Sequence, residues 1–351
     1  MLLSPNQLAD RLTSWLWRSE LAASERPLVA MDLRAVSRAS IGTTECDALV
    51  ATLADAPWVS VVFVDADVDP TITDLVDVAD VVLSEVAGGA TTVVVDDLAD
   101  ELERLRLAVA ASPQASVALV QLLRLADGAP VPLALHGESL TYATLQTGET
   151  FQTWLAARGG PKPRVDEGPP VQVERDGGLL RITLDRPERR NALNIAMRDA
   201  LVEALTLLDL DPSLDGALLT GNGSNFSAGG DLDEFGSTPS PAMGHYVRTV
   251  RSLPGLVHQV RDRLRVHVHG TCVGAGIELP AFAHAVHADP DTTFRLPEIG
   301  FGLVPGAGGT VSVSRRCGRQ RTAWWALRGV PVDADTALRW GLIDRIAPRQ
   351  P

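Results

Sequence analysis

The chain reads as an α/β protein in two unequal parts, the second wound as a spiral of strand–strand–helix units. Three observations lead there. Residues 159–170, with Gly159, Gly160, Pro161, Pro163, Gly168, Pro169 and Pro170, hold too much proline and glycine for a helix interior or a central strand. They divide the 351 residues into a smaller N-terminal α/β segment, 1–158, and a segment 171–351. In the second segment, short apolar strands, glycine-rich turns and helical periodicity recur in regular order.

Residues 171–174 and 179–184 alternate apolar and polar around Asp176-Gly177-Gly178, which predicts a β-hairpin. Leu193, Met197, Leu201, Leu205 and Leu208 carry helical spacing through residues 191–208. A buried strand at 216–220 leads into the loop 221–231. Residues 243–260 predict a helix interrupted at Pro254. Residues 265–269 predict a strand entering a glycine turn, and 276–285 a helix leaving it. In the first segment, 28–33, 58–64 and 93–95 predict strands. Residues 46–54, 98–110 and 116–125 predict helices, and 141–157 one amphipathic helix.

Composition narrows the function. With 45% hydrophobic and 21% charged residues, the chain can bury a sizeable core. A net charge of −13 argues against nucleic acid as a partner, because phosphate backbones require a basic face. No stretch reaches the roughly 18 apolar residues of a membrane span, and the N-terminus lacks a signal-peptide pattern. Cys46, Cys272 and Cys317 fit neither a disulfide framework nor a metal site. A cytoplasmic protein without a membrane partner is expected. His267 and His269 stand at i,i+2 on a strand, with His284 and His287 nearby, but no carboxylate spacing completes a site, so no metal is expected.

Two acids stand out. Glu278 follows Gly274-Ala275-Gly276, and Glu298 lies twenty residues later in Leu296-Pro297-Glu298-Ile299-Gly300. A strand, a glycine turn and a helix start would aim free N–H groups at a ligand. A carboxylate beside them could do acid–base work on the oxygen they hold. The small-residue run from Gly223 to Leu232 could bring further N–H groups close to a ligand.

These residues closely resemble the crotonase superfamily, the enoyl-CoA hydratase/isomerase fold, over about residues 171–347. The resemblance implies a crotonase-like (ClpP/crotonase) spiral acting on acyl-CoA thioesters. It implies an oxyanion hole formed by the N–H groups of Gly230 and Ala275, and catalytic roles for Glu278 and Glu298. The blocks from Arg186 to Asn194 and from Ala228 to Leu232 imply coenzyme A contacts at Arg189, Arg190, Ala192, Ala228, Asp231 and Leu232. No separate cofactor is implied, since coenzyme A arrives with the substrate.

Both glutamates are retained, which favours hydration of an enoyl-CoA over isomerisation, thioester hydrolysis or C–C hydrolysis. A non-catalytic acyl-CoA-binding partner subunit is the alternative of a different class. Pro280, His284, Arg295 and Leu296 depart from the family pattern and leave the acyl group open, as they do the pathway.

Family members continue past the final block with helices that cover the site and build trimers. Residues 96–125 and 140–158 resemble that tail. Residues 1–158 are therefore expected to be a degenerate crotonase-like module, its helices packing on the catalytic core of its own or a neighbouring chain. A homo-oligomer, trimer or hexamer, is expected, with a partner enzyme of the same pathway as a further possibility.

Overall fold

The computed structural model describes residues 2–86, 88–162 and 168–348. Its first sheet runs β1 (Leu2–Leu3), β2 (Leu28–Asp32), β3 (Val59–Phe63), β4 (Val81–Ser84), β5 (Val93–Val94), parallel throughout and in sequence order. Its central strands are almost wholly buried because both faces are covered. Val29, Met31, Val62 and Val82 face helices Pro5–Leu12 and Thr43–Ala54. The alternate residues Ala30, Val61, Phe63, Val81 and Leu83 belong to the large core that runs on through the C-terminal half. One side of the N-terminal sheet is thus part of the same core as the site described below.

Four helices follow: Leu98–Ala111, Pro113–Ala126, Val131–Leu145 and Glu149–Ala157. The periodicity predicts one helix over 141–157. The structure breaks it at Gln146–Gly148, where Gly148 turns extended to cap the last helix. The first half of Val131–Leu145 has no counterpart in the sequence expectation. Its apolar residues surround the axis, so no amphipathic stripe marks it.

The second half carries a six-stranded sheet and a three-stranded sheet. The hairpin β6 (Val171–Asp176) and β7 (Leu179–Leu184) is antiparallel; β8 (Gly216–Gly221), β9 (Leu264–Val268), β11 (Ala285–Ala288) and β14 (Arg345–Ile346) extend it in parallel. Between them the chain visits the second sheet at β10 (Thr271–Val273), β12 (Thr293–Arg295) and β13 (Val332–Asp333). The last three windings, β9 with β10, β11 with β12 and β13 with β14, each leave one strand in each sheet, which is the spiral that the resemblance implies.

Two boundaries differ from expectation. The helix expected over 276–285 is a single turn, Ala275–Glu278, followed by a 3₁₀ turn Pro280–Phe282. Pro280 has no N–H to continue the ladder. Further upstream, the break lies at Arg251 and Ser252, between helices Pro241–Val250 and Leu253–Val260. Pro254 opens the second of these rather than interrupting one helix, because the first turn needs no N–H from it.

Candidate active site

The two glutamates meet at Gly274, the turn between β10 and the short helix. Gly274 has φ +49°, and a methyl group there would collide with Glu298 Oε1 and lie 3.5 Å from Glu278 Oε1. Only glycine leaves room for both carboxylates at this point. Glu278 is buried, and its Oε2 accepts the N–H groups of Ala307 (2.8 Å) and Gly309 (2.9 Å). Glu298 opens the 3₁₀ turn Glu298–Phe301, and its buried Oε2 has no hydrogen-bond partner among the described residues.

The glycine loops come together beside the acids. Leu193 bridges to Gly230 through bonds made by Gly229 and Asp231, so the Gly230 N–H lies outside the ladder. Gly229, at φ +84°, packs so tightly that a methyl group would lie 2.5 Å from Val273 O and 3.6 Å from Ala275 N. Ala275 is the first residue of its helical turn, where N–H groups lack intrahelical partners. No described residue accepts a hydrogen bond from the Gly230 or Ala275 N–H. Two unused donors therefore stand on adjoining backbone segments, next to two carboxylates.

A third carboxylate comes from the N-terminal segment. Glu138, in helix Val131–Leu145, is 2% exposed. Its Oε1 accepts Gly308 N–H (2.7 Å); its Oε2 accepts Thr310 N–H (3.0 Å) and the Thr310 hydroxyl (2.6 Å). These amides open helix Gly309–Cys317, where the backbone dipole favours negative charge. Tyr142, one turn on, rests directly on Gly306. Trp154, in the next helix, stacks on Phe301 (centroids 4.9 Å apart) and meets Phe235 edge-on at 5.9 Å. Phe235 in turn packs on Gly230. Helices of the first segment thus roof the site of the same chain.

Burial raises all three acids above their ordinary values. Glu138 is pushed up to about 7, against the opposing bond from Thr310, and Glu298 to about 8. Glu278 is raised by burial first, then by Glu298 and Glu138, while the Ala307 and Gly309 amides oppose the shift. Glu278 has two donors on Oε2 to stabilise its charge and Glu298 Oε2 has none. Two carboxyls buried this close oppose each other's charge, so the pair holds a proton near neutrality.

The expected coenzyme A residues are mostly engaged with the scaffold around them. Asp231 is buried in a pair with Arg186, whose two terminal nitrogens lie 3.2 Å from Asp231 Oδ2. Its carboxylate is committed to the scaffold rather than open to a ligand. Arg189 pairs with Asp233 at 2.6 Å. Ala192 O accepts from Arg186, and Arg190, in a left-handed conformation, accepts the Ala228 N–H through its carbonyl. Leu232 O receives Phe235 N–H at 3.4 Å. Arg190 has an exposed side chain on this rim. The histidines serve structure as well: His267 Nε2 lies 2.8 Å from Asp289, and His269 Nε2 2.9 Å from Gly223 O.

Sequence reasoning missed Glu138, Tyr142 and Arg248. A lone acid inside the apolar run VPLALHGESL was the available signal for Glu138. Nothing local ties it to Gly308 and Thr310, 170 or more residues away.

The profile of the enoyl-CoA hydratase/isomerase family matches residues 174–351. The chain is 34% identical over 172 residues to the mevalonyl-coenzyme A hydratase of Aspergillus fumigatus, covering 48% of this chain and 62% of that protein. It is 35% identical over 176 residues to the 2,3-dehydroadipyl-CoA hydratase of Escherichia coli, covering 50% and 68%. Among solved structures it is similar to an enoyl-CoA hydratase from Thermoplasma volcanium, at 30% identity and a TM-score of 0.48, covering 51% and 72%. Each match spans about half of the present chain, and the family profile leaves the residues before 174 outside. With half of its length under the family profile, and two thirds of the E. coli relative covered at 35% identity, this chain belongs to the enoyl-CoA hydratase/isomerase family.

Proposed function

We propose that the protein hydrates an α,β-unsaturated acyl-CoA thioester. The observation that carries this reading is the convergence of Glu278 and Glu298 at Gly274, beside the unused N–H groups of Gly230 and Ala275. The thioester oxygen sits between those two donors, which stabilise the enolate-like charge as it develops. Glu278, ionised, takes a proton from the water that attacks C3. Glu298, protonated, delivers a proton to C2, so that one water is added and the acids exchange protonation states. The Trp154, Phe301 and Phe235 cluster excludes bulk water from the enolate. Both relatives named above are hydratases of a coenzyme A derivative, which supports the same chemistry here.

The test is incubation of the full chain with saturated and 2,3-unsaturated acyl-CoAs, with products followed by mass. Gain of one water on the unsaturated thioesters, lost in Glu298→Gln, is expected. A shifted double bond at unchanged mass would make the enzyme an isomerase, and release of free coenzyme A a thioester hydrolase.

A further inference from the structure

Between the roof helix and the catalytic loop lies a cavity of about 130 Å³. A cavity of about 150 Å³ is known to hold a benzene molecule, so this one suits a short acyl chain and is far too small for an adenosine diphosphate. Its walls touch the reaction centre at three points. Leu193 is the bridge partner of Gly230, Leu279 follows Glu278, and Ala307 donates to Glu278. Most of the lining surface is apolar: Leu135, Val247, Leu253 and Pro254 join Leu193 and Leu279.

Arginines interrupt the aliphatic wall. Arg198, Arg248 and Arg251 all line it, against the single acid Glu138. Arg198 is paired with Asp199 (2.9 Å), and Arg251 reaches the same aspartate at 3.8 Å from an exposed position. Arg248 differs. Its Nε and Nη2 donate to Ser139 Oγ (3.1 Å) and Ser139 O (3.3 Å), and its guanidinium lies over the Tyr142 ring, 4.8 Å from the centroid. Among the described residues it has no carboxylate within ion-pair distance, and Nη1 has no acceptor. A cation held this firmly, half-buried beside an aliphatic pocket, costs desolvation that the attraction of Glu138 opposes through space but no direct ion pair offsets. Glu138 does not supply the missing partner, because both its oxygens are turned to Gly308 and Thr310.

We infer that the cavity receives an acyl chain ending in a carboxylate, and that Arg248 is the residue that binds that carboxylate. The inference rests on the acyl-CoA reading above and adds the substrate class. Guanidinium geometry suits a carboxylate, which its planar donors meet two at a time. The chain's aliphatic carbons would lie along Leu193, Leu253 and Leu279, with the thioester at Gly230 and Ala275.

The test compares two five-carbon thioesters that differ only at the far end: trans-2-pentenoyl-CoA and its ω-carboxylated counterpart, glutaconyl-CoA. The wild-type chain should hydrate the carboxylated thioester with a kcat/KM at least about tenfold higher, the worth of one charged hydrogen bond. Arg248→Gln should bring the ratio to within about threefold, and Arg248→Lys should fall between, since a point charge replaces the fork. Hydration of both thioesters at similar rates, or preference for the neutral one, would overturn the inference and leave the hydratase reading standing. If neither thioester is hydrated, the hydratase reading for these acyl groups fails. Calorimetric binding of glutaryl-CoA against pentanoyl-CoA then decides the cavity: tighter binding of the carboxylated thioester, lost in Arg248→Gln, supports it, and equal binding overturns it. Free coenzyme A is the last arm. If Arg248→Gln weakens inhibition by free coenzyme A as much as binding of glutaryl-CoA, the anion held is a coenzyme A phosphate and the inference falls.

Discussion

Glu138 and Glu278, 140 positions apart in the chain, divide between them four consecutive amides of one loop. Ala307 and Gly309 donate to Glu278; Gly308 and Thr310 donate to Glu138. The run turns through Gly308, at φ +96°, into helix Gly309–Cys317. One carboxylate comes from the spiral core and the other from the N-terminal roof, so the loop that orients the acid of the core is itself clamped by the roof. The four bonds measure 2.7–3.0 Å.

Glu138→Ala should be costly for stability. It leaves two buried N–H groups and the Thr310 hydroxyl without an acceptor, for which a loss of about 1–3 kcal/mol per unsatisfied group is usual. Glu138→Gln keeps one acceptor oxygen and should lose less. It also removes a charge that raises the pKa of Glu278, so the acid limb of kcat/KM should move to lower pH. Urea unfolding and a pH–rate profile of the two variants check this; an unmoved acid limb in Glu138→Gln would refute the electrostatic link.

Glu298→Gln should cut kcat by roughly 10²–10⁴-fold, the usual worth of a positioned proton donor, while leaving coenzyme A binding unchanged. Steady-state hydration kinetics with coenzyme A as competitive inhibitor separate the two effects. Unaltered turnover would refute the role of Glu298 as acid.

Gly229→Ala should act on the oxyanion donors and not on the acids. The methyl would lie 2.5 Å from Val273 O at a backbone conformation of φ +84°, forcing the two donor segments apart. Loss of one such donor costs about 2.7–4 kcal/mol, or 10²–10³-fold in kcat. Measured kcat within threefold of wild type would show that the donors lie elsewhere. Gly274→Ala should be worse still, since its methyl occupies the space of Glu298 Oε1.

Stability should fall as pH rises through neutrality. Glu138 and Glu298 have folded pKa values of about 7 and about 8 against an ordinary 4.5. A carboxyl raised in the folded state binds its proton more tightly there than in the unfolded chain. Its stabilisation is complete below pH 4.5 and is lost as pH climbs through the folded value. For Glu138 the full window corresponds to a loss on the order of 3 kcal/mol. The fall between pH 5 and pH 8, followed by denaturant unfolding, should be smaller in Glu138→Gln than in wild type.

Residues 168–351 alone should be poorly soluble and inactive. Trp324 and Arg328 both bond to Glu101, and Arg319 donates to the Ala79 carbonyl, so separation strands buried polar groups as well as the apolar face. A soluble, fully active fragment would show that the roof is dispensable.

By itself, the sequence determined the spiral and the family it belongs to. The period-2 strands, the glycine at each close approach and the spacing of Glu278 to Glu298 are local constraints, and local constraints are legible in sequence. The helices Leu98–Ala111 and Pro113–Ala126 were equally clear, because each buries one stripe. Strands β1 and β4 went unread: the first is two residues long, and the second is a short apolar run with no alternation. Tertiary structure alone decided which groups share the site. It engaged the Asp231 carboxylate with Arg186, and it brought Glu138 and Arg248 to the cavity from helices far apart in the chain. The reason is physical. A buried carboxylate or guanidinium is specified by the donors and acceptors around it, and here those groups come from the other half of the chain, where no periodicity connects them.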